Sequence, residues 1–287
     1  MNKWLTFKYN IDDLLNQSDA YKIKKKWQDI KKKLNGYVPN HLISFFKSIE
    51  KYKNKKINIL DHGCGGGLTV FILVLNGYNN VWGVDISNTK NFMKRSAKIN
   101  KILSILTKSK SKKILSYDGK KIPFRSHFFD LIFSQQVLEH VEDNLLKHYL
   151  SEEKRTLKDN GMIFHQIPHR LGPYEGHTKK WCIHWLPKNL HCFLLKKDPQ
   201  SLDLVKNYLF LRWPWALKKE FKKYFIEVTN ITFYRLKYDI YSSEFSLKEK
   251  LARKFLVKIF KIPYLGVYLS KLLSIFFQLE VIAKKKD

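Results

Sequence analysis

Residues 61–67 are the feature that most constrains the fold of this chain. They read Asp-His-Gly-Cys-Gly-Gly-Gly, between the apolar run Ile59-Leu60 and the apolar run Leu68–Leu75. Glycine permits a sharp turn and a close approach of the backbone to a ligand, and a helix N-terminus favours an anionic group. A dinucleotide-binding fingerprint would need glycine where Leu68 stands. The spacing Asp-x-Gly-x-Gly-x-Gly therefore predicts a strand, a ligand-binding turn and a helix. The ligand site that they form is not a dinucleotide-binding fingerprint.

Short apolar runs alternate with segments of helix length from residue 56 onwards. Such an alternation predicts right-handed βαβ crossovers and an α/β fold, with a parallel sheet that helices cover on both faces. The predicted strands are Ile57–Asp61, Val81–Asp85, Lys113–Tyr117, Phe129–Ser134, Met162–Ile167, Phe225–Phe233 and Phe277–Ala283. The predicted helices cover residues 67–76, 88–101, 143–158 and 215–224.

Three segments lie outside this alternation. Residues 1–55 are lysine-rich and predict an N-terminal helical extension, because Trp27, Ile30 and Leu34 recur at helical spacing. Residues 168–200 mix prolines and glycines with His, Trp and Cys, which predicts an ordered insertion after the fifth strand. The simplest division is one domain over residues 56–287 that carries this insertion and a basic amphipathic segment, residues 246–275.

The net charge of +29 suggests nucleic-acid binding, because Lys and Arg neutralise phosphates. Only seven of the 54 basic residues are arginine, however, and specific phosphate and base contacts favour the rigid fork of arginine. The lysines are spread along the whole chain beside abundant Ile and Asn. We therefore predict no specific nucleic-acid partner, and contact with an anionic membrane is an alternative use of the charge.

The cysteines and the N-terminus bear on localisation. Three cysteines are too few for a disulfide framework, and residues 1–15 hold no apolar core of signal-peptide length. Residues 62–84 lack charged side chains, but their glycines and asparagines leave only the apolar run Leu68–Leu75, which predicts a buried helix rather than a membrane span. We expect a cytoplasmic protein.

Two aspartates follow the next two predicted strands. Asp85 ends the second strand, 18 residues after Gly67, where a carboxylate can accept hydrogen bonds from both hydroxyls of a ribose. Asp118 follows the third strand, within reach of an adenine edge. Together with the glycine-rich turn, Phe129-Asp130-Leu131-Ile132 and Val137-Leu138-Glu139-His140-Val141, these residues resemble the class I S-adenosylmethionine-dependent methyltransferases of the small-molecule type. The resemblance covers roughly residues 56–167.

The resemblance implies a Rossmann-like, seven-stranded, mostly parallel sheet whose last strand is antiparallel. It also implies S-adenosylmethionine as the cofactor, with the methionine portion among the residues of the glycine-rich turn, the ribose at the second strand and the adenine at the third. The implied cofactor-binding residues are Asp61, Gly63, Gly65, Gly67, Asp85, Asp118, Gly119, Ser134 and Gln135.

Glu139 and His140 resemble a loop that contributes metal-binding carboxylates and a histidine in quinone-biosynthesis O-methyltransferases. In this chain Gln136 stands where a further carboxylate would support a metal site. We therefore predict that the loop forms a wall of the cofactor pocket and that the site holds no metal, with plain packing at the start of a helix as the alternative role.

The insertion supplies the candidate catalytic residues. Its pattern is similar to an insertion in bacterial methyltransferases that are encoded near surface-polysaccharide genes. His177 or His169 can act as the base that removes a hydroxyl proton, and Arg170 and Glu175 are candidate substrate-binding residues. The alternatives are a structural aromatic loop and a zinc site, for which the candidate ligands are His177, Cys182, His184, His191 and Cys192.

We expect an S-adenosylmethionine-dependent O-methyltransferase that acts on a small or lipid-linked acceptor such as a sugar, with no obligate protein partner. The alternatives are methylation of a quinone precursor, methylation of RNA, and a binding module that keeps the fold without catalysis. The C-terminal basic segment is expected either to pack on the domain or to touch anionic lipid at the inner membrane face.

Overall fold

The computed structural model describes residues 3–33, 42, 45–46, 49, 55–86, 89–232, 258–259 and 262–286. Most of the second half of the predicted N-terminal extension lies outside these residues. So do residues 246–257 of the predicted basic segment and Phe233, the predicted end of the sixth strand.

A seven-stranded sheet forms the centre of the molecule, with the strand order β3-β2-β1-β4-β5-β9-β8. Strands β1 to β5 are parallel, β9 pairs antiparallel with β5, and β8 pairs antiparallel with β9. This confirms the Rossmann-like, mostly parallel sheet expected from the resemblance. Its strands are β1 (Ile59–His62), β2 (Val81–Asp85), β3 (Ile114–Ser116), β4 (Phe129–Gln135), β5 (Leu157–Ile167), β8 (Phe225–Asn230) and β9 (Leu279–Lys285).

Helices connect the parallel strands, as the alternation in the sequence predicts, except between β3 and β4, which a loop joins. The helix after β1 begins directly behind the glycine-rich turn and is apolar all round, which suits a helix buried in the core. The helices are α1 (Lys3–Leu14), α2 (Ala20–Lys33), α3 (Leu68–Leu75), α4 (Lys90–Thr107), α5 (Asp143–Thr156), α6 (Lys188–Leu194), α7 (Pro199–Asn207), α8 (Pro214–Tyr224) and α9 (Leu265–Ser274). Within the described residues, no helix has both the length and the apolar character needed to cross a membrane.

The insertion after β5 is folded rather than extended. It contains a short hairpin of β6 (Tyr174–Glu175) and β7 (Lys180–Trp181), a 3₁₀ turn over Ile183–Trp185, and α6. Because β5 ends at Ile167, the insertion begins at the carboxyl end of a central strand, where ligands bind in open α/β sheets.

The described part of the N-terminal extension packs into the main core. Phe7, Ile23 and Trp27 belong to the same hydrophobic cluster as Phe71 of α3 and Leu103 of α4. The other face of the sheet has its own cluster, which includes residues of α5 and α8. Helices therefore cover both faces, and the carboxyl edge of the parallel strands is the edge at which the loops meet.

Candidate active site

The glycine-rich turn adopts a conformation that only glycine tolerates well. Gly63, Gly65 and Gly67 have φ values of +85°, +50° and +84°. A Cβ atom on Gly63 would lie 2.3 Å from a Val137 methyl, and one on Gly67 would lie 1.8 Å from an Ile114 methyl. A Cβ atom on Gly65 would meet nothing within 4 Å. The turn is thus packed against the protein at two glycines and open at the third.

Asp85 closes this turn from the second strand. Its Oδ2 atom accepts a hydrogen bond of 2.7 Å from the backbone N–H of Gly65. Asp61 is buried nearby, and burial, followed by the charge of Asp85, raises the pKa of Asp61 to about 8. Two carboxyl groups and an open backbone turn therefore lie at the carboxyl ends of β1 and β2.

Asp118 and Gly119 lie at the exposed end of the third strand. Asp118 Oδ1 accepts hydrogen bonds from the backbone N–H groups of Lys120 and Lys121, which fix the turn. Gly119 has a φ of +77°, and a Cβ atom there would approach Ile86 to 3.2 Å. The residues expected around methionine, ribose and adenine thus follow β1, β2 and β3 in turn, and the open side of Gly65 fits a ligand that approaches the backbone closely.

Ser134 and Gln135 end the fourth strand but are not equally placed. Ser134 is buried, and its hydroxyl lies 3.0 Å from the Tyr149 hydroxyl inside the protein. Gln135 is half-buried and donates a 2.6 Å hydrogen bond from Nε2 to Gln166 Oε1. The structure therefore brings Gln135, and not Ser134, to the partly open end of the strand.

A cavity of about 290 Å³ opens next to this edge, and we call it the active-site cavity. The β4 exit loop links it to the glycine-rich turn, because Gln136 lines the cavity and the next residue, Val137, faces Gly63. Its walls also come from the insertion and from the segment before β9. They include His169, Tyr174, Glu175, His177, Phe276 and Gln278.

His177 and Glu175 form a hydrogen-bonded pair in the wall of this cavity. His177 Nδ1 lies 2.7 Å from Glu175 Oε1, and the same carboxylate accepts hydrogen bonds from the backbone N–H groups of His177 and Thr178. Burial on its own raises the pKa of Glu175, but these hydrogen bonds outweigh it and lower the pKa to about 2. The hydrogen bond that His177 donates to Glu175 raises the pKa of His177. Glu175, which was expected to bind substrate, is hydrogen-bonded to His177 and lines the active-site cavity, and its contact with a substrate stays a prediction.

Glu139 lies on the other side of His177. Its side chain is 1% exposed, and neither carboxylate oxygen has a hydrogen-bond partner. Burial raises its pKa to about 8. Glu139 Oε1 lies 4.0 Å from His177 Nε2, and the His140 ring meets the His177 ring edge-on at 5.0 Å. The sequence analysis predicted this loop as a wall of the cofactor pocket. No motif or spacing in the sequence indicated that His177 would lie next to it.

The same three residues could hold a cation. The ligand atoms of Glu139, His140 and His177 all lie within 4.8 Å of one another, and carboxylate and imidazole suit a divalent metal. Among the described residues, this is the group of metal-binding side chains that the fold brings together. It does not include the cysteines or His184 and His191, so the zinc set considered from the sequence does not form there.

His169 and Arg170 occupy different surroundings. His169 Nε2 lies 2.6 Å from the carbonyl oxygen of Phe277, and His169 Nδ1 accepts a hydrogen bond from the backbone N–H of Leu171. Both ring nitrogens are therefore engaged within the protein. Arg170 donates a 2.7 Å hydrogen bond to the carbonyl oxygen of Leu186 and lines a second cavity.

The comparisons with known proteins agree with the fold and with the glycine-rich site. The sequence profile of a family described as "Methyltransferase domain" matches residues 60–165. A ubiquinone biosynthesis O-methyltransferase of Pelagibacter ubique is 34% identical over 177 residues, which are 59% of this chain and 68% of that protein. The chain therefore belongs to the class I S-adenosylmethionine-dependent methyltransferases.

Other relatives carry the same name, and a solved structure shares the fold. A ubiquinone biosynthesis O-methyltransferase of Bartonella tribocorum is 30% identical over 156 residues, which are 53% of this chain. The match spans 58% of that relative's length. A geranyl diphosphate methyltransferase in complex with S-adenosylmethionine superposes with a TM-score of 0.50 at 13% identity, over 96% of this chain and 95% of that chain. That likeness supports the architecture alone.

Proposed function

We propose that this methyltransferase methylates a hydroxyl oxygen of a small or lipid-linked acceptor such as a sugar. The observation that supports this most is the His177–Glu175 pair in the wall of the active-site cavity. A hydroxyl must lose its proton during transfer, whereas thiolates and many amines need no such help. The curated relatives are named O-methyltransferases, which also favours an oxygen acceptor.

The chain's own residues would hold the cofactor and the proton. The turn around Gly65 and the carboxylates of Asp61 and Asp85 form the cradle, and S-adenosylmethionine bound there supplies a methyl group that its sulfonium has already activated. Glu175 accepts a hydrogen bond from Nδ1–H of His177 and so leaves the lone pair on Nε2 for the acceptor. When the methyl passes from the sulfur to the acceptor oxygen, so that the sulfur–methyl bond breaks as the oxygen–methyl bond forms, the hydroxyl proton would pass to His177 Nε2, and Glu175 would stabilise the resulting imidazolium.

A phenolic quinone precursor is the second candidate acceptor. The names of the curated relatives favour it, and so does the group of Glu139, His140 and His177, in which a divalent cation could bind the acceptor oxygen and lower its pKa. The two candidates differ in their requirement for a metal. Turnover on a sugar with His177 as the base needs none.

The test is transfer of labelled methyl from S-adenosylmethionine to fractionated cell material, with chelator and with added Mg²⁺. Label in glycan or lipid-linked glycan that is insensitive to chelator supports the proposal. Label in a phenolic lipid that requires the metal supports the quinone candidate, and label in RNA contradicts both.

Three variants assign the base. His177→Ala should lower turnover about 10²–10⁴-fold while cofactor affinity stays nearly unchanged. His127→Ala, which removes an exposed imidazole elsewhere, serves as the matched control. If His169→Ala lowers turnover and His177→Ala does not, the assignment of the base to His177 is wrong.

A peripheral position at an anionic membrane belongs to the same proposal. Phe276, which lines the active-site cavity, closely follows α9, and apolar side chains on that helix are exposed. An interfacial helix beside the cavity would let a lipid-linked acceptor reach His177 from the membrane surface.

A further inference from the structure

A second cavity, of about 220 Å³, lies beside the active-site cavity, and we call it the basic cavity. Leu211 lines both, so the two cavities share a wall. Its lining comes from the exit of β5, the 3₁₀ turn of the insertion, α6 and the chain before α8. The polar side chains in this lining are Asp143, Arg170, His184, Lys188, His191 and Arg212.

Three nitrogen atoms of these side chains are buried without a hydrogen-bond partner. They are Nε of Arg170, Nδ1 of His184 and Nε2 of His191. His184 is 4% exposed and His191 is 5% exposed, so both rings are nine-tenths buried or more. Buried polar groups are almost always paired, and three unpaired nitrogens around one cavity indicate that a polar ligand binds there.

The charge around the cavity is positive. Its one lining carboxylate, that of Asp143, pairs with Arg212, whose other donors bind backbone carbonyl oxygens of Leu138 and Val141. Within the part of the chain that the structure describes, no carboxylate forms an ion pair with Arg170 or with Lys188. The charges of these two residues are thus available to an anion.

Arg170 is held in place before any ligand binds. Its guanidinium lies 5.3 Å from the centre of the Trp213 ring and donates a hydrogen bond to the carbonyl oxygen of Leu186. A fixed guanidinium loses little freedom when it binds an anion, which is why arginine suits phosphate recognition.

We propose that the basic cavity binds a phosphate group of the methyl acceptor, as a phosphate ester or a diphosphate, while the acceptor hydroxyl lies at His177. A phosphate offers three or more oxygens and up to two charges to Arg170, His184, His191 and Lys188, whereas a carboxylate offers two oxygens and one charge. This inference rests on the proposed function, and it adds the chemical class of the acceptor.

The tautomer of His184 gives the proposal a second signature. His184 Nε2 lies 2.7 Å from the carbonyl oxygen of Gly172 and donates to it, so Nδ1 becomes a donor only when the ring is protonated. Burial lowers the pKa of both His184 and His191, and Arg170 and Glu175 act on both rings with opposite signs. With Lys188, Arg212 and Asp143 as the other charged neighbours, phosphate binding should be accompanied by proton uptake.

The experiment is calorimetry of pyrophosphate binding to the full chain, in two buffers of different ionisation enthalpy. Binding with proton uptake is expected. Arg170→Gln and His191→Gln should each weaken the affinity about tenfold or more, since a hydrogen bond to a charged group contributes that much. Lys197→Gln, which removes an exposed charge from the same insertion, should change it less than about twofold.

Because Arg170 also binds the Leu186 carbonyl oxygen, thermal unfolding is measured to show whether each variant is folded. If the Arg170→Gln variant is not folded, the His191→Gln variant still tests the proposal. Competition by a hexose 1-phosphate or by a short-chain prenyl diphosphate distinguishes a soluble from a lipid-linked source. No pyrophosphate binding at millimolar concentration, or equal loss in Lys197→Gln, would overturn the inference. Since no turnover is measured, such a failure leaves the proposed function standing.

Discussion

At the scale of single residues, Asp85 joins the glycine-rich turn to the second strand. Its carboxylate accepts the Gly65 N–H, and the ribose of the cofactor is expected at the same group. Asp85→Ala should remove about 2–3 kcal/mol of binding free energy, or about 30- to 150-fold in S-adenosylmethionine affinity, measured by calorimetry. Asp203→Ala, on α7, is the control. An unchanged affinity for Asp85→Ala would refute the ribose assignment.

Asp61 lowers the stability of the cofactor-free protein when the pH rises above the ordinary pKa of an aspartate. Its pKa is about 8 in the folded state and near 3.8 when unfolded, so between these pH values the folded protein holds a proton that the unfolded chain has lost. Stability should therefore fall as pH rises through this window, by up to about 1.4 kcal/mol per pH unit. Asp61→Asn should flatten that dependence and be more stable at pH 8.

Urea unfolding at pH 5, 6.5 and 8 checks this, with Asp203→Asn as the control. Parallel stability profiles for Asp61→Asn and the unsubstituted protein would contradict the expected titration. Asp61→Asn is also expected to bind the cofactor less well, so the position exchanges stability for function.

At the scale of elements, one buried carboxylate connects a helix to two strands. Glu153 of α5 lies 2.8 Å from His62 Nδ1 on β1 and 2.9 Å from His165 Nε2 on β5. Tyr149 stacks on His62 at 3.9 Å, and the Tyr117 hydroxyl lies 2.8 Å from His62 Nε2. This network fixes α5 beneath the end of β1 that begins the glycine-rich turn.

Glu153→Gln should therefore destabilise the protein by about 3–5 kcal/mol, the usual cost of breaking a buried charged network. Burial on its own raises the pKa of Glu153, but the two histidines outweigh it and lower the pKa to about 2. The stabilisation is then present above the unfolded value of 4.5 and is lost as pH falls towards 2. Denaturant unfolding between pH 3 and 7 measures both effects, and Glu142→Gln, an exposed neighbour, should match the unsubstituted protein.

The sequence could predict the parallel strands because each reads as a short apolar run, and the central strands β1 and β4 are almost wholly buried. β2 has the predicted bounds, β1 and β3 differ by one or two residues at each end, and β4 extends one residue further. β5 begins at Leu157, five residues earlier than predicted, because Lys158, Asp159 and Asn160 interrupt the apolar pattern where the ladder with β4 is irregular. Local polarity concealed a strand end that pairing with a neighbour determines.

The arrangement of the candidate catalytic residues could be predicted only in part. Position in the sequence indicated that His177 lies at the edge of the sheet where ligands bind. Whether Glu175 faces His177 depends on the β6–β7 hairpin, in which Tyr174 pairs with Trp181. The burial of Glu139 and its distance from His177 depend on tertiary packing alone. Neither the pairing of Glu175 with His177 nor the burial of Glu139 corresponds to a periodicity or a spacing in the sequence.

Substitutions on helix α9 test the proposed contact with an anionic membrane. Leu265, Tyr268 and Leu272 are exposed on it, and Lys271 adds positive charge. Leu265→Ser with Leu272→Ser should weaken sedimentation with anionic vesicles about tenfold, because apolar burial and charge both contribute to interfacial binding. The control is Leu145→Ser, since Leu145 of α5 is 53% exposed, as is Leu265. Equal binding by all variants, or no binding at all, would exclude α9 as the contact.

At the scale of the whole molecule, several of the arginines that the structure describes are held by contacts within the fold. Arg155 binds Glu152 and two carbonyl oxygens, Arg212 binds Asp143 and two carbonyl oxygens, and the Arg95 side chain lies against Gly66. The net charge of +29 comes mainly from lysines, because only seven of the 54 basic residues are arginine. Lysines attract a polyanion through charge alone and supply none of the two-pronged contacts that read a base.

This distribution predicts weak and salt-sensitive binding to RNA. Because lysine contacts release counterions, the affinity should fall about 10³-fold or more between 50 and 200 mM salt if six or more phosphates are contacted, with little difference between sequences. Fluorescence anisotropy with two unrelated labelled RNAs measures both the salt slope and the selectivity, and poly-lysine of similar charge is the reference. A submicromolar complex that persists at physiological salt and distinguishes the two RNAs would contradict this prediction and make RNA the acceptor to examine.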